Sequence, residues 1–551
     1  MTSSIYAAKP WLGQLTEAQK AEVHPPVSVP HAFRDAVARV PERTALAYFD
    51  GRIGYREADE LSDAVAAYLA ARGLAKGDRL ALMLQNTPHF VIALLGAWKA
   101  GAVVVPLNPM YKAYEVGHIL ADAGVTAVVC SDRAWAGFLR ETAADLPVQI
   151  VLTACERDLQ TRDDRRVLDF ERLPQAEDAA DLLTVARAGG VAPAGREFAP
   201  DDIALIGYTS GTSGRPKGAT VTHRNICHNA ERQRAGHELP DGATIFALAP
   251  LFHITGMVCQ LAASIVGGGT LALAYRFESG VVLDAFLEHR PAYTVGPATA
   301  FMALGAHPDV SPGHFASFAV ISTGGAPMPP ALVDGIEQRF GHYILNGYGL
   351  TECAAPCAAV PPGRRAPVDP ESGTLAVGVP DPASVVRILD EDGAEVPFRT
   401  TGEIAVRGPQ VVPGYWGLPA ATAEGLPDGE LRTGDIGFMD EDGWLYVVDR
   451  KKDMINAAGF KVWPREVEDV LYTHGAVREA AVVGVPDSYR GETVKAYVSL
   501  RPGSSVEPAE LAGYCKDRLA AYKYPREVEI LPELPKTATG KILRRELRSR
   551  T

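Results

Sequence analysis

The chain contains 551 residues, which is enough for a large catalytic domain and a smaller second one. Its composition, with 47% hydrophobic and 22% charged residues, excludes a largely disordered or collagen-like protein. The 67 acidic and 54 basic residues give a formal net charge of -13, so we expect no nucleic-acid partner, because such a partner requires a basic face.

One segment has the length and apolar character of a membrane span. Residues 245–275 carry no Lys, Arg, Asp or Glu, and about 20 apolar residues can cross a bilayer. Pro250, His253 and the glycines at 267–269 instead favour an internal helix, a turn and a buried strand at 270–275. The first residues show no signal-peptide pattern, and the seven cysteines form no CxxC pair. We therefore expect a cytoplasmic protein with no transmembrane segment.

In chain order, helix-like and strand-like patterns alternate from the start. Residues 58–86 and residues 89–108 each contain a helical pattern followed by an apolar strand, which predicts βαβ units and a parallel sheet. The same alternation resumes over residues 202–347 and gives way to short alternating strands up to residue 448. The sequence therefore predicts an α/β fold.

A domain boundary is predicted where five consecutive charged residues, 449–453, follow an apolar strand. Beyond them the pattern is an amphipathic helix at 464–473 with Pro464 in its first turn, two strands, and a helix across 507–521. We predict an N-terminal domain of residues 1–449 and a smaller α/β C-terminal domain of residues 450–551.

The segment Tyr208–Gly218 (YTSGTSGRPKG) is the clearest local signal of chemistry. It follows a strand-like run at 203–207 and precedes a helix that opens near residues 222–225. Its glycines, hydroxyls and Lys217 offer backbone N–H groups, side-chain donors and a positive charge to a phosphate chain. It is not a Walker A loop, because the lysine lies six residues after Gly211 and is followed by Gly218 rather than Ser or Thr.

Further motifs follow in a fixed order along the chain. They are APLFH at 249–253, STGGAP at 322–327, NGYGLTE at 346–352, TGD at 433–435, DRKKD at 449–453 and PKTATGK at 535–541. Together with the phosphate loop, this ordered set resembles the adenylate-forming superfamily of acyl-CoA synthetases, peptide-synthetase adenylation domains and beetle luciferases. The resemblance covers nearly the whole chain. It implies a large adenylating domain of several subdomains and a smaller, mobile C-terminal domain that pivots near Lys452.

The resemblance assigns several of these motifs to nucleotide and CoA binding. Asp435 would accept the ribose hydroxyls with the help of Arg450, although a helix-capping aspartate is the alternative. Tyr348 would line the adenine-binding slot, although residue type alone favours a core tyrosine. The implied binding residues are Thr209, Ser210, Gly211, Thr212, Ser213, Gly214, Lys217, Gly324, Gly325, Ala326, Pro327, Asn346, Gly347, Tyr348, Gly349, Thr351, Asp435, Val447, Arg450, Lys541 and, around the CoA thiol, Ala458, Gly459 and Phe460.

The implied catalytic residues are Lys541, His253, Lys217, Thr351 and Glu352. Glu352 is a hard oxygen donor suited to hold Mg2+ against ATP oxygens, with a solvated turn glutamate as the alternative. Lys541 would bridge the substrate carboxylate and the α-phosphate, whereas composition alone suggests a solvated lysine in a basic tail. His253 would orient the acid rather than move a proton, with a core histidine as the alternative.

The function that follows is an ATP-dependent carboxylic acid–CoA ligase, an acid–thiol ligase that forms an acyl-adenylate and then a thioester. The segment INAAGFKVWPREVE at 455–468 is most similar to medium- and long-chain fatty-acyl and 4-coumarate-like CoA ligases. We expect a medium- to long-chain fatty acid. The alternatives are an aryl acid, an acyl-AMP ligase that loads a carrier protein, and, outside this chemistry, a phosphotransferase that releases ADP.

The expected partners are a small-molecule carboxylic acid, ATP with Mg2+, and CoA. A homodimer is compatible with the sequence. PKTATGK has the proline-to-lysine spacing at which similar ligases are acetylated, so the resemblance also implies a lysine acetyltransferase that acts on Lys541. Acetylation would remove the charge that the first step requires.

Overall fold

The structure of the protein is a computed structural model, which describes residues 4–209, 216–325, 328–450, 453–457, 460–487, 491–537 and 542–550, without the side chains of residues 331, 450, 456, 460, 461 and 491. The strands are β1 (Thr44–Tyr48), β2 (Gly51–Gly54), β3 (Arg79–Met83), β4 (Val103–Pro106), β5 (Val125–Ser131), β6 (Ile150–Ala154), β7 (Ala180–Asp181), β8 (Ile203–Thr209), β9 (Lys217–Thr222), β10 (Thr244–Phe246), β11 (Thr270–Leu273), β12 (Tyr293–Gly296), β13 (Val320–Gly324), β14 (Leu345–Leu350), β15 (Ala355–Ala359), β16 (Val379–Pro380), β17 (Val385–Leu389), β18 (Gly402–Arg407), β19 (Leu431–Met439), β20 (Leu445–Arg450), β21 (Ile455–Ala457), β22 (Phe460–Val462), β23 (Val477–Asp487), β24 (Gly491–Leu500) and β25 (Glu527–Ile530).

The α-helices range from single turns to five turns. They are α1 (Glu17–Lys20), α2 (Val29–Arg39), α3 (Tyr55–Ala71), α4 (Pro88–Lys99), α5 (Ala113–Ala123), α6 (Asp132–Ala134), α7 (Arg140–Ala143), α8 (Arg165–Leu168), α9 (Leu182–Arg187), α10 (His223–Gly236), α11 (Ala263–Val266), α12 (Ser279–His289), α13 (Ala298–Ala306), α14 (Pro330–Phe340), α15 (Pro419–Gly425), α16 (Pro464–Tyr472), α17 (Pro508–Lys516) and α18 (Arg544–Arg548). Short 3-10 turns lie at Ile5–Ala8, Pro10–Gln14, Pro312–Phe315, Thr351–Cys353 and Pro427–Gly429, and π-helical turns lie at Trp135–Leu139 and Gly256–Ala262.

Two large sheets form the body of the molecule. The first has the order β7-β6-β5-β3-β4-β8-β9 and is parallel except for the β8–β9 hairpin. The second has the order β16-β15-β14-β13-β12-β10-β11-β1-β2 and is parallel from β1 to β14. Helix α4 is buried along nearly its whole length because it packs against strands of both sheets, which explains its continuous apolar sequence. The predicted α/β fold is confirmed.

The apolar segment at 245–275 packs inside the second sheet's half of the body. Its π-helical turn Gly256–Ala262 continues into α11, and a glycine turn then leads to β11. Each of these elements belongs to the main hydrophobic core. Among the described residues, no helix combines the length and the apolar character that a membrane crossing requires.

A four-stranded antiparallel sheet, β17-β18-β19-β20, follows the body. The N-terminal segment packs on it: Tyr6 and Trp11 are fully buried, and the Tyr6 hydroxyl donates to the Val396 carbonyl at 2.9 Å. A Cβ on Gly443, in the turn before β20, would lie 2.3 Å from the Trp11 nitrogen, so this contact requires glycine. The first turns of the chain therefore close onto a sheet formed almost 400 residues later.

The C-terminal part has a sheet and a core of its own. Strands β21 to β25 form one sheet, and helices α16 and α17 cover it around buried Val467, Leu471 and Leu511. The helix expected across 507–521 is shorter than predicted, because α17 ends at Lys516. The Arg518 and Leu519 N–H groups both donate to the Cys515 carbonyl, and the chain then turns so that Tyr522 and Tyr524 pack on the core.

Candidate active site

One cavity of about 2250 Å³ lies at the carboxyl ends of β12, β13 and β14, where ligands bind in open α/β sheets. Residues of the body, of the four-stranded sheet and of the C-terminal part all line it. The predicted residues that line this cavity are Thr209, Lys217, His253, Gly324, Gly325, Asn346, Gly347, Tyr348, Gly349, Thr351, Glu352, Asp435 and Val447. Residues up to 238 positions apart in sequence thus border one cavity.

The β8–β9 hairpin carries the two ends of the predicted phosphate loop. Thr209 pairs with Lys217 across the hairpin, and its hydroxyl donates to the Lys217 carbonyl at 3.4 Å. The loop itself, with Ser210, Gly211, Thr212, Ser213 and Gly214, lies outside the described residues. After β9, the Thr222 side chain caps α10 by accepting from the Asn225 N–H, as its position before a helix predicts.

Glu352 and Lys217 converge on a residue that the sequence reading missed, Tyr415. The Tyr415 hydroxyl donates to Glu352 Oε1 at 3.0 Å, and Lys217 Nζ lies 5.2 Å from the centre of the Tyr415 ring. Burial and the neighbouring Glu352 carboxylate raise the pKa of Tyr415. The phenol therefore stays neutral and donates at physiological pH. The only sequence signal was an aromatic residue in the GYW turn at 414–416.

The donor set around Glu352 fits Mg2+ held jointly by the protein and a nucleotide. No group of three or more His, Cys, Asp or Glu side chains in the described part of the chain could hold a metal alone. Mg2+ is usually bound by one or two carboxylates together with substrate phosphates. A single carboxylate oriented by a tyrosine, beside a lysine, matches that mode of binding.

The predicted nucleotide wall is formed by close backbone packing at the ends of β13 and β14. A Cβ on Gly324 would lie 2.9 Å from the Gly347 carbonyl oxygen, and one on Gly349 would lie 2.0 Å from that of Ala355, so both positions require glycine. The Asn346 Oδ1 atom is buried and has no hydrogen-bond partner among the described residues. Ala326 and Pro327 lie outside those residues.

Tyr348 orients the Asp435 carboxylate by a hydrogen bond. Its hydroxyl donates to Asp435 Oδ2 at 2.7 Å, and burial together with this carboxylate raises the pKa of Tyr348. Asp435 is 6% exposed and pairs with Arg450 across the β19–β20 hairpin. The Arg450 side chain is not described. One Asp435 oxygen is thus oriented by a neutral phenol, and the residue borders the cavity.

His253 lies on the cavity wall in the turn before the π-helical segment. Its Nδ1 accepts from the Thr255 N–H at 3.3 Å, and its backbone N–H donates to the Pro250 carbonyl at 3.0 Å. These bonds fix the ring in the turn with the side chain facing the cavity. This geometry suits the orienting role predicted for His253.

The C-terminal part contributes Lys536, Thr537 and Arg544 to the cavity lining. Lys541 itself lies outside the described residues, as do Lys452, Ala458 and Gly459, and only the backbone of Phe460 is described. Lys536 and Ile542, which flank this segment, pair with each other as an antiparallel bridge. The segment that carries Lys541 therefore begins and ends beside the cavity.

Arg544 connects the C-terminal part to strand β20. It makes a bidentate pair with Glu468 at 2.7 Å and 2.7 Å, and its other nitrogen lies 3.5 Å from both Asp449 and Asp453. Burial alone would lower the pKa of the Arg544 guanidinium, but these carboxylates raise it. Arg465 adds a second contact, because its backbone N–H donates to Asp449 and its guanidinium donates to the Met328 carbonyl.

The inner end of the cavity is polar, which the sequence reading did not predict. Residues 295–299 and 322–325, at the ends of β12 and β13, line the cavity. Gln233, His237 and Tyr293 line it as well, and they hydrogen-bond to one another. Polar residues four apart at the end of α10 were the available signal, but an end of a helix is commonly solvated.

Comparison with known proteins decides the family. The model of the AMP-binding enzyme family matches residues 33–416, and the model of the AMP-binding enzyme C-terminal domain matches residues 466–541. The chain belongs to the AMP-binding enzyme family. This membership confirms the predicted resemblance and the predicted arrangement of a large α/β domain with a smaller C-terminal one.

Relatives within the AMP-binding enzyme family match almost end to end. A long-chain-fatty-acid–CoA ligase of Bacillus subtilis is 36% identical, with 98% of each chain covered. A feruloyl-CoA synthase of an Amycolatopsis species is 37% identical, covering 93% of this chain and 96% of the relative. The crystal structure of an anthranilate CoA ligase in complex with anthranoyl-AMP matches with a TM-score of 0.85 at 25% identity, covering 97% of this chain and 99% of that one.

Proposed function

We propose that this protein is an ATP-dependent carboxylic acid–CoA ligase that forms an acyl-adenylate and then an acyl-CoA thioester. The observation that carries the proposal is that one cavity is lined both by Lys217, Glu352 and Asp435 and by Thr537 and Arg544, which flank Lys541. ATP would bind with its ribose at Asp435 and its phosphates toward Lys217. All of the named relatives are CoA ligases or synthases, which supports the same activity.

In the first step, a carboxylate oxygen attacks the α-phosphorus of ATP, and the bond to the bridging oxygen breaks. Pyrophosphate leaves with the electron pair. Lys541 would neutralise the charge that builds up between the carboxylate and the phosphate, and Lys217 would hold the leaving phosphates. Glu352 would hold Mg2+, which supplies charge neutralisation to the phosphates when bound. His253 and Thr351 would orient the acid and the adenylate.

In the second step, the sulfur of CoA attacks the acyl carbon, and AMP leaves with the electron pair of the carbon–oxygen bond. The thiol proton passes to solvent. Ala458, Gly459 and Phe460 would border the thiol, which requires the C-terminal domain to turn. We propose that this domain comprises residues 450–551 and pivots near Lys452, at the end of β20. A hinge needs only a few residues to absorb such a rotation.

The acid is proposed to be a medium- or long-chain fatty acid, in keeping with the relatives named for long-chain substrates. An aryl acid is the second candidate, because a feruloyl-CoA synthase is equally similar and the inner end of the cavity is polar. The proposal places the enzyme in the cytoplasm, in keeping with seven buried, unpaired cysteines. Acetylation of Lys541 would switch off the first step.

The proposal is tested by mass spectrometry of the products formed from MgATP, CoA and a panel of straight-chain, branched and aryl acids. The expected products are AMP and acyl-CoA from a subset of the acids. Lys541→Ala should lower adenylate formation by about 10²–10³-fold, because it removes one preorganised charge. Lys516→Ala, an exposed lysine at the end of α17, is the matched control and should leave the rate unchanged.

Three outcomes would each contradict a part of the proposal. Release of ADP instead of AMP would indicate a phosphotransferase. Near-normal adenylate formation by Lys541→Ala would refute the role of that lysine. AMP and an enzyme-bound adenylate without acyl-CoA would replace CoA by a carrier protein as the acceptor.

A further inference from the structure

We propose that Gln233 selects carboxylic acids that carry a hydrogen-bond-accepting oxygen at the end far from the carboxylate. The oxygen could be a ring hydroxyl or methoxy group on an aryl acid, or a terminal hydroxyl or keto group on an alkyl acid. This inference rests on the proposed ligase function and names the class of acid that the cavity takes.

Gln233 lies at the inner end of the cavity, remote from the nucleotide wall. On β13, Gly324 borders the nucleotide side, whereas Val320 pairs with Tyr293 on β12, four residues earlier. Because a strand rises about 3.3 Å per residue, Tyr293 lies about 13 Å below the nucleotide wall. The Tyr293 hydroxyl donates to Gln233 Oε1 at 3.2 Å. A group that meets Gln233 is therefore at the distal end of the acid.

The Gln233 side chain is held on one side and open on the other. His237 Nε2 lies 3.1 Å from Gln233 Oε1, so the oxygen accepts from both Tyr293 and His237. The amide nitrogen has no hydrogen-bond partner among the described residues. It nevertheless remains accessible to a molecule the size of water. Gln233 is 8% exposed and lines the cavity. Its NH2 group thus faces the cavity with both hydrogens unused.

The protonation of His237 fixes which amide atom faces the cavity. Burial lowers the pKa of His237 to about 4, and Arg232, whose charge also lowers it, is paired with Asp381 at 3.2 Å. The neutral ring has one N–H, and its buried Nδ1 has no partner in the described structure. A flipped amide would leave that buried Nδ1 as an unpaired donor, which is rarer in proteins than an unfilled acceptor. The ring therefore donates from Nε2. The amide oxygen of Gln233 points toward His237 and Tyr293, and the amide nitrogen points toward the cavity.

The surroundings of Gln233 define the class of ligand. Of the cavity-lining residues, Tyr293 contacts Gln233, Cys259 interacts with Tyr293, and Val295 lies two residues along β12 on the same face; none of them carries a charge. A second carboxylate or an ammonium group on the acid would have no counterion there. A plain hydrocarbon end would cover the two amide hydrogens and leave them without an acceptor, which costs about 1–3 kcal/mol. A neutral oxygen acceptor satisfies them.

The test compares matched pairs of acids by kcat/KM with the full-length enzyme. One pair is para-hydroxycinnamate and para-methylcinnamate; the other is an ω-hydroxy fatty acid and the plain fatty acid with the same number of chain atoms. We expect a preference of about tenfold or more for the oxygenated member of one pair, the factor that one unmade hydrogen bond gives. The pair that shows it distinguishes an aryl from an alkyl substrate.

Variants then assign the preference to Gln233. Gln233→Leu should bring the ratio close to one by lowering kcat/KM for the oxygenated acid and raising it for the plain acid, whose end no longer covers unpaired amide hydrogens. Gln233→Glu, of equal size but without the NH2 group, should abolish a preference for para-methoxycinnamate over para-ethylcinnamate, because a methoxy oxygen accepts a hydrogen bond but cannot donate one to the carboxylate. Gln338→Leu makes the same change at an exposed position on α14 and should have no effect. Calorimetric binding of ATP by each variant verifies that it is folded.

An equal kcat/KM for both members of both pairs would overturn the inference, as would a preference that persists in Gln233→Leu with normal ATP binding. Both results leave the ligase function standing. Absence of any thioester with every acid would instead overturn the proposed function. In that case the same pairs are compared by calorimetric binding of the acids, where equal affinities would overturn the inference independently.

Discussion

Tyr415 connects two groups that we propose act on the same nucleotide. Its hydroxyl orients Glu352, and its ring lies beneath the Lys217 ammonium. Partners that orient a metal-binding carboxylate typically affect metal affinity by about 10–100-fold. A cation over an aromatic ring contributes about 0.5–2 kcal/mol. We infer that Tyr415 is a positioning residue with two separable effects.

Tyr415→Phe removes the hydroxyl and keeps the ring. We expect the Mg2+ concentration needed for half-maximal ATP binding to rise by about tenfold, while ATP affinity at saturating Mg2+ stays the same. Tyr415→Leu removes both contacts and should also weaken ATP binding at saturating Mg2+. Calorimetric titration of ATP at graded Mg2+ concentrations measures both effects.

The control for this prediction is Tyr446→Phe, because the buried Tyr446 hydroxyl donates to Asp440 and neither residue lines the cavity. It should leave the Mg2+ dependence unchanged. An unaltered Mg2+ dependence in Tyr415→Phe would show that Glu352 needs no help from the tyrosine.

The residues of the site were predictable where their motif is local, and not where they cooperate across the chain. Glu352 and Asp435 stand in short motifs whose chemistry is visible from residue type and neighbours. Tyr415 is 63 residues from Glu352, and Tyr293 is 60 residues from Gln233. Only the folded sheet brings such pairs within hydrogen-bonding distance. The sequence does not distinguish a core role from an adenine-binding role for Tyr348 for the same reason, since its hydrogen bond to Asp435 spans 87 residues.

At the scale of elements, α16 and α18 are joined to the end of β20 by charge. Arg544 opens α18 and pairs with Glu468 on α16, with Asp449 on β20 and with Asp453 just beyond it. Arg548, one turn later, pairs with the same Asp453 at 2.9 Å. These contacts favour the orientation in which Thr537 and Arg544 line the cavity, which is the one that we propose for adenylate formation.

Arg544→Gln should therefore slow the first step more than the second. We expect pyrophosphate release in a single turnover to fall by about tenfold or more, because removing one partner of a mostly buried pair leaves the carboxylates uncompensated. Thioester formation from a supplied acyl-adenylate should be much less affected. Rapid-quench measurement of both steps gives the comparison.

The same measurements with Arg550→Gln, exposed just beyond α18, provide the control and should match the unaltered protein. Equal slowing of both steps by Arg544→Gln would indicate general loosening of the C-terminal domain rather than a preference for one orientation.

Element prediction succeeded where the periodicity was strong and failed at an end. The amphipathic helix predicted at 464–473 is α16, Pro464–Tyr472. The helix predicted across 507–521 ends at Lys516, because Leu519, Tyr522 and Tyr524 find contacts with the C-terminal core in a turn. Tertiary contacts of this kind override helical propensity, and the local sequence pattern does not predict them.

For the whole molecule, three buried histidines link stability to pH. Burial lowers the pKa of His89 and of His237 to about 4 and that of His223 to about 3. In the unfolded chain their pKa is about 6.5. Between these values the unfolded state binds protons that the folded state does not. Stability is therefore fully present above about pH 6.5 and is lost as the pH falls toward 4.

The free energy of unfolding should thus decrease on acidification, by about 1.4 kcal/mol per pH unit for each histidine. His89→Phe should make the slope shallower by one proton, because neither ring nitrogen of His89 has a hydrogen-bond partner among the described residues. Urea unfolding followed by tryptophan fluorescence at several pH values between about 5 and 7 measures the slope.

His31→Phe makes the same change at an exposed position of α2 and is expected to keep the original slope. A slope in His89→Phe identical to that of the unaltered protein would mean that folding does not change the number of protons bound by His89.

The separation between the polar inner end and the reacting groups has an evolutionary consequence. Gln233 and His237 lie at the end of α10 and Tyr293 begins β12, about 13 Å from Gly324 on the nucleotide side, whereas Lys217, Glu352 and Asp435 belong to other elements of the cavity lining. Point mutations at three codons could therefore redirect the enzyme to a new acid without touching the machinery that activates it. Duplicated copies of such a gene can therefore acquire different substrate specificities while keeping the same catalytic residues.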